Sequence, residues 1–216
     1  MAECPEPTSN GTTNANITSN LLVKIEDLVN CRSVERQRLE FKASWNKGPT
    51  MFQVVKTISA FANDFYNDDG GYIVIGVAEP EEIESLEAAV EQIVLPPAGI
   101  NPKDIERTQK EILGACKSLI SPSYSPILSP EVLQDKLVLV IWTQASDDRP
   151  HKARVSTKGE YHYFIRKGPE TKRATDKEIK SLMESSCKTP FDDRMARLGM
   201  FYQVFSQSIY TSWRFN

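Results

Sequence analysis

Residues 72–77 form a nearly continuous apolar run, Tyr72-Ile73-Val74-Ile75-Gly76-Val77, directly after the turn sequence Asn67-Asp68-Asp69-Gly70-Gly71. An apolar run of strand length that follows a strong turn signal is typical of a strand inside a sheet, with neither face open to water. Other elements must cover such a strand. The run therefore predicts the central strand of a layered fold.

Apolar residues elsewhere recur with helical or strand periods and supply the remaining elements. The helical period predicts four helices, namely a short one ending near Asn30, one over Thr50–Asn63, one opened by the cap pair Asn101-Pro102, and a last one opened by a Thr175–Glu178 capping box. Alternation and short apolar runs predict further strands over Leu39–Lys42, Leu137–Trp142 and Tyr161–Arg166. This order of elements indicates an α/β or α+β fold with helices packed on a mixed sheet.

The length and composition of the chain favour one domain with tails. It has 216 residues, of which 40% are hydrophobic and 25% charged, as in ordinary globular proteins. We expect a disordered polar tail over residues 1–20, the folded domain over 21–189, and a linker with an amphipathic helix over 190–216. The sequence has no signal-peptide pattern and no run approaching the roughly 20 apolar residues of a membrane span, which predicts a cytoplasmic or nuclear protein.

The charge balance excludes a uniformly basic nucleic-acid coat protein. The formal net charge is −3, although 26 Lys and Arg residues can still gather on one face. The best candidate for a local phosphate-binding patch lies near the last predicted strand, where the aromatic residues Tyr161, His162 and Tyr163 are interleaved with basic ones. The basic residues of this patch are Lys152, Arg154, Lys158, Arg166, Lys167, Lys172 and Arg173. Cations contact phosphates and aromatic rings stack on bases, and Tyr163 is the aromatic contact that we predict. The alternative is a solvated hairpin with Tyr161 or Tyr163 in the core.

Four ordered sequence blocks carry a resemblance to a known family. They are Glu35-x4-Glu40-Phe41-Lys42, Ile58-Ser59-Ala60-Phe61-Ala62-Asn63, Gly70-Gly71 with the apolar run, and Tyr163-Phe164-Ile165-Arg166-Lys167-Gly168. From about Ser33 to Ser185 the chain resembles the Schlafen AlbA-like domain family. The resemblance implies a domain that binds RNA or DNA, with a regulatory or defence role. Two departures are a longer loop over Asp64–Asp69 and Ala78-Glu79 in place of the common pair of Asp residues.

Acidic residues near the first strand are candidates for a second kind of site. Alternation places Glu40 and Lys42 on one face of that strand, with Glu35 upstream and Glu79 past the central strand. Three carboxylates could hold Mg²⁺ or Mn²⁺, which polarises a phosphate and activates water. The resemblance implies that Glu35, Glu40 and Glu79 match the acidic residues of ribonucleases in the family. Lys42 would then stabilise phosphate charge in a metal-dependent endoribonuclease that cleaves structured RNA such as tRNA or rRNA.

A less specific interpretation of the same residues remains open. Glu40 and Lys42 could form an ion pair on a solvated strand face, with Glu35 and Glu79 as surface loop charges. Asn63 could either hold a loop beside the site or simply end its helix. His151 and His162 lack the spacing of metal ligands, and the sequence contains neither a P-loop motif nor a GxSxG elbow.

The C-terminal residues predict one further contact. Large apolar side chains recur at helical spacing there, at Leu198, Phe201, Tyr202, Phe205, Ile209 and Trp213. An apolar stripe of this kind must be covered, either by the core of the same chain or by a second copy. Docking on the same core is the simpler account. The homodimer is the sharper one, and it is suggested by the single copy of the domain here, because ribonuclease-type relatives pair two copies of this fold.

Overall fold

The computed structural model describes residues 21, 24–30, 36–78 and 97–188. This part of the chain has an α+β fold, as the sequence predicts. The helices are α1 (Ile25–Asn30), α2 (Pro49–Asn63), α3 (Ile105–Leu119) and α4 (Asp176–Lys188). The strands are β1 (Leu39–Lys42), β2 (Gly71–Ile75), β3 (Ile120–Ser121), β4 (Ile127–Leu133), β5 (Lys136–Thr143), β6 (Lys152–Arg154), β7 (Tyr161–Lys167) and β8 (Glu170–Arg173).

The first sheet has the order β1-β2-β5-β4 and is mixed. Strand β2 pairs in parallel with β1 and antiparallel with β5, and β5 pairs antiparallel with β4. All five residues of β2 are buried, which confirms the prediction of a central strand. The strand ends at Ile75 because Gly76 has a φ of 101°, in the region that favours glycine.

Alternating side chains of β2 enter two different cores. Ile73 and Ile75 pack with Val54 and Ile58 of α2, whereas Tyr72 and Val74 pack on the opposite face of the sheet, in the core that contains α1. Gly71 opens the strand directly under α2, where an added Cβ would lie 2.4 Å from the Phe61 ring. The first residue of β2 therefore allows close packing between α2 and the sheet.

A second sheet, which the sequence patterns do not predict, has the order β3-β6-β7-β8 and is antiparallel throughout. Helix α2 covers one face, where Phe164 and Ala153 join the main core. Ile165 on the other face packs with Leu182 of α4. The other strands of this sheet are two to four residues long, and β6 and β8 are mostly charged, so alternation in the sequence gives them no signal.

The sequence patterns do not predict strand β4 either, because Pro130 stands in its middle. Proline lacks the N–H that an interior strand needs, and it is tolerated at the edge of a sheet. The structure places β4 at such an edge, with Pro130 opposite Leu139 of β5.

The predicted helix starts are confirmed within the described residues. Asn101 accepts a hydrogen bond from the backbone N–H of Lys103 ahead of α3. Glu178 Oε2 accepts from the backbone N–H of Thr175 at 2.8 Å, and Thr175 Oγ1 accepts from that of Glu178 at 3.4 Å, which is the predicted capping box. No helix in the described ranges is long and apolar enough to cross a membrane. The predicted tail over 1–20 and the C-terminal apolar stripe lie outside the described residues.

Candidate nucleic-acid interface

A partly buried ion cluster joins β1 of the first sheet to β7 of the second. Lys42 Nζ lies 2.9 Å from Glu40 Oε1, and Arg166 Nη1 lies 2.7 Å from Glu40 Oε2. The predicted alternation along β1 is confirmed, since Leu39 and Phe41 pack in the α1 core on the opposite side. The side chains of Glu40 and Lys42 are 17% and 16% exposed, so their ion pair is not on a solvated strand face.

Arg166 uses the rest of its guanidinium to bind the backbone of β1 and the segment before it. It donates hydrogen bonds to the carbonyl oxygens of Gln37 and Leu39 and to Thr171 Oγ1, at 3.0, 3.4 and 2.8 Å. Its Cζ lies 5.1 Å from the centroid of the Phe61 ring. The sequence predicts that Arg166 lies in an exposed phosphate-binding patch, but its side chain is only 7% exposed. It is buried because it extends from β7 to pair with Glu40 of the first sheet.

The described residues do not by themselves fit a Mg²⁺ or Mn²⁺ ion. Glu35 and Glu79, two of the three predicted metal ligands, lie outside the described residues. In the described ranges no three His, Cys, Asp or Glu residues form a group that could hold a metal. Glu40 has a cationic partner at each carboxylate oxygen, whereas a hard divalent cation binds several oxygen ligands.

The other basic residues of the predicted patch divide into two sets by their partners. Lys167 lies 2.6 Å from Glu178 Oε1, and Lys172 forms an exposed ion pair with Glu170. Four cations of the patch have no ion-pair partner among the described residues: Lys152, Arg154, Lys158 and Arg173. The positive charge that remains to attract phosphates is therefore concentrated on β6, on the β6–β7 turn and at the end of β8.

Tyr161, at the start of β7, is the exposed aromatic residue of this surface. Lys152 Nζ lies 5.4 Å and Arg154 Cζ 4.8 Å from the centroid of its ring. Arg154 also donates hydrogen bonds to the carbonyl oxygens of Ser118 and Thr157, at 3.1 and 3.4 Å. Carbonyl acceptors orient the guanidinium without neutralising it. We refer to Lys152, Arg154 and Tyr161 as the hairpin triad.

Tyr163, which the sequence prediction names as the aromatic contact, lies two residues further along β7. Tyr161 and Tyr163 point to the same face of the strand, but Tyr163 is partly buried in the cluster of Ile165 and Leu182, whereas Tyr161 is 37% exposed. Alternation in the sequence gives the shared face. The sequence pattern does not show how much of that face α4 covers, and this coverage determines which of the two tyrosines is exposed to solvent.

Asn63, at the end of α2, fixes the position of β6 and β7. Its fully buried side chain donates hydrogen bonds to the carbonyl oxygens of His151 and Phe164, both at 2.9 Å, and accepts one from the backbone N–H of His151 at 2.6 Å. Of the two predicted roles of Asn63, holding a neighbouring segment describes these contacts better than ending a helix. The amide anchors the base of the hairpin that carries the triad.

His151 is buried directly before β6 and serves the fold. Its Nδ1 lies 2.8 Å from the carbonyl oxygen of Pro122, while its Nε2 has no hydrogen-bond partner among the described residues. Burial lowers the pKa of His151, and the contact with the Pro122 carbonyl opposes that effect. The ring is therefore expected to be neutral at physiological pH.

Comparisons with known proteins add a family to this geometry. Residues 35–175 match the model of the family described as Schlafen, AlbA_2. The DIP2311 protein from Corynebacterium diphtheriae is 15% identical with a TM-score of 0.44, over 69% of this chain and 24% of that one. The N-terminal domain of a RecG-related protein from Nitrosomonas europaea is 22% identical with a TM-score of 0.43, over 66% and 86%.

The chain spans about a quarter of the length of the C. diphtheriae protein. No protein with a curated description matches the sequence.

Proposed function

The chain belongs to the Schlafen AlbA_2 family, whose model matches well over half of its length, and from this we propose that it is a nucleic-acid-binding domain. The binding surface is the hairpin of β6 and β7. Lys152 and Arg154 contact phosphates there, and Lys158 in the β6–β7 turn adds charge at its margin. A role in regulation or defence is compatible with such a domain.

One observation carries this proposal, namely two cations without ion-pair partners in the described structure beside one exposed aromatic ring. Lys and Arg that approach a phosphate backbone release its condensed counterions, which favours binding without any base-specific contact. The net charge of −3 makes such a local concentration necessary, because the protein as a whole repels a polyanion. The basic residues already paired with carboxylates contribute less.

The test is the salt dependence of binding for a variant that removes one of these charges. Lys152→Gln should weaken binding and reduce the slope of log affinity against log salt by roughly 0.7–0.9, the contribution of one phosphate contact. Lys136→Gln is the matched control, because Lys136 is an exposed lysine in the β4–β5 hairpin of the other sheet. Fluorescence anisotropy with labelled RNA and DNA over a salt series measures both quantities. Equal slopes for the two variants would remove the hairpin from the binding site.

A second candidate function is the metal-dependent cleavage of structured RNA, and the ion cluster on β1 is the observation that favours it. Glu40 and Lys42 share one face of the strand with Arg166 beside them, so a phosphate that reached this cluster would meet two cations next to a carboxylate. The contribution of a metal depends on Glu35 and Glu79 as well as Glu40.

Glu40→Gln tests this second candidate because it keeps the size of the side chain and removes its charge. Cleavage of tRNA-like and rRNA-like substrates in the presence of Mn²⁺ should be lost, while RNA binding should be equal or tighter because a repulsive charge is gone. A thermal melt checks that the variant is folded. Wild-type protein that cuts no structured RNA with Mg²⁺ or Mn²⁺ would leave binding as the function.

A further inference from the structure

From the hairpin triad we infer that this surface binds unpaired nucleotides by stacking a base on Tyr161. The inference rests on the proposed function and adds the class of nucleic acid that the surface selects, namely single strands or unpaired loops rather than a continuous duplex.

The position of Tyr161 in the sheet makes its ring available to a ligand. Tyr163 and Ile165, further along the same face of β7, are covered by the cluster that contains Leu182 of α4. Tyr161 belongs to none of the described core clusters and is 37% exposed. Apolar contact with a ligand would remove this ring from water.

The scaffold under the ring is held in place from several directions. Arg154 lies opposite Tyr161 in the β6–β7 ladder, Ala153 between the two basic residues is fully buried, and Asn63 holds both strands. A ring that is already fixed loses little conformational freedom on binding, so more of the stacking energy remains as affinity.

The cations over the ring match the chemistry of a nucleotide. A base has a flat π-face for the ring, and its phosphates are anionic groups for Lys152 and Arg154, whose charges lie over the ring at 5.4 and 4.8 Å from its centroid. Within a duplex each base face is already stacked on its neighbours, and exposing it costs a few kcal/mol. Unpaired nucleotides expose that face without this cost.

The experiment compares probes that have equal numbers of phosphates per strand but differ in whether they expose the face of a base. The probes are a labelled oligothymidylate of about twelve nucleotides, an abasic strand of the same length, and a duplex that contains the same number of phosphates per strand. Wild type should bind the oligothymidylate more tightly than the abasic strand, by roughly 5- to 150-fold for one stacked base, and more tightly than the duplex.

Two variants at one position separate stacking from folding. Tyr161→Phe keeps the ring and should keep the preference for the base-bearing strand, whereas Tyr161→Leu keeps an apolar side chain and should lose it. Both variants should bind the abasic strand as wild type does, which shows that the hairpin is still folded.

The outcomes of this comparison separate base stacking, selection for unpaired nucleotides and phosphate binding. Equal binding of the base-bearing and abasic strands by wild type, or an undiminished preference in Tyr161→Leu, would overturn stacking while leaving the phosphate contacts standing. Duplex binding as tight as single-strand binding would overturn the selection for unpaired nucleotides. Failure of all three probes to show salt-dependent binding would overturn the proposed function together with this inference.

Discussion

Replacing Arg166 by Met should destabilise the protein more than an exposed substitution, because it removes a buried guanidinium and leaves the partly buried carboxylate of Glu40 without its closest cation. The guanidinium pairs with Glu40 at 2.7 Å and donates to two backbone carbonyls and a hydroxyl, with 7% of the side chain exposed. Removing one partner of a buried ion pair costs about 3–5 kcal/mol in free energy of unfolding. Small domains are stable by only about 5–15 kcal/mol, so the loss is a large share.

Urea unfolding followed by circular dichroism measures this loss. With an m value of about 2 kcal/mol/M, Arg166→Met should lower the urea midpoint by about 1.5–2.5 M. Arg166→Lys should fall between this variant and wild type, because an ammonium keeps the charge but cannot reach all four acceptors at once. Lys172→Met is the control, since its ion pair with Glu170 is exposed, and its midpoint should not move measurably.

A double substitution tests the physical reason behind that loss. If the cost comes from the part of the Glu40 charge that Lys42 alone does not compensate, adding Glu40→Gln to Arg166→Met should restore part of the lost stability. A double variant that is less stable than Arg166→Met alone would refute the argument. So would an Arg166→Met midpoint that matches that of Lys172→Met.

Two further predictions follow from other parts of the chain. Burial lowers the pKa of His151 in the folded protein, so on acidification the unfolded chain takes up a proton first, and the stabilisation should be full above a pH of about 6.5 and fall below it. His151→Gln should flatten this dependence in urea midpoints measured between neutral and mildly acidic pH. An unchanged pH profile would contradict the role of His151 in it. Light scattering should show a dimer that becomes a monomer when residues 192–216 are deleted, because the predicted apolar stripe is then gone, and a full-length monomer at tens of micromolar protein would rule this interface out.

The parts of the fold that follow from the sequence are those with strong local patterns. Each of these patterns can be recognised within fewer than twenty consecutive residues: the apolar run of β2, the alternation along β1 and the apolar stripe of α2. Strand β4 cannot be recognised in the sequence because it contains Pro130. A strand tolerates proline at the edge of a sheet, and the edge position of β4 is known only from the folded structure.

The candidate site was harder to predict because its contacts are distant in sequence. Arg166 and Glu40 are 126 residues apart, and their pairing converts an apparently exposed arginine into a buried link between sheets. The same patterns locate the basic hairpin but choose Tyr163 over Tyr161, since the extent of α4 over β7 is a tertiary property.

The shared role of α2 has a consequence for the order in which this chain can fold during synthesis. Helix α2 packs on both sheets, and its last residue, Asn63, binds the carbonyl of Phe164, 101 residues later. At a translation rate of about 5–20 residues per second, roughly 5–20 s separate the synthesis of the two partners. During that interval the apolar residues of α2 lack their second partner surface, which leaves them open to association with other chains.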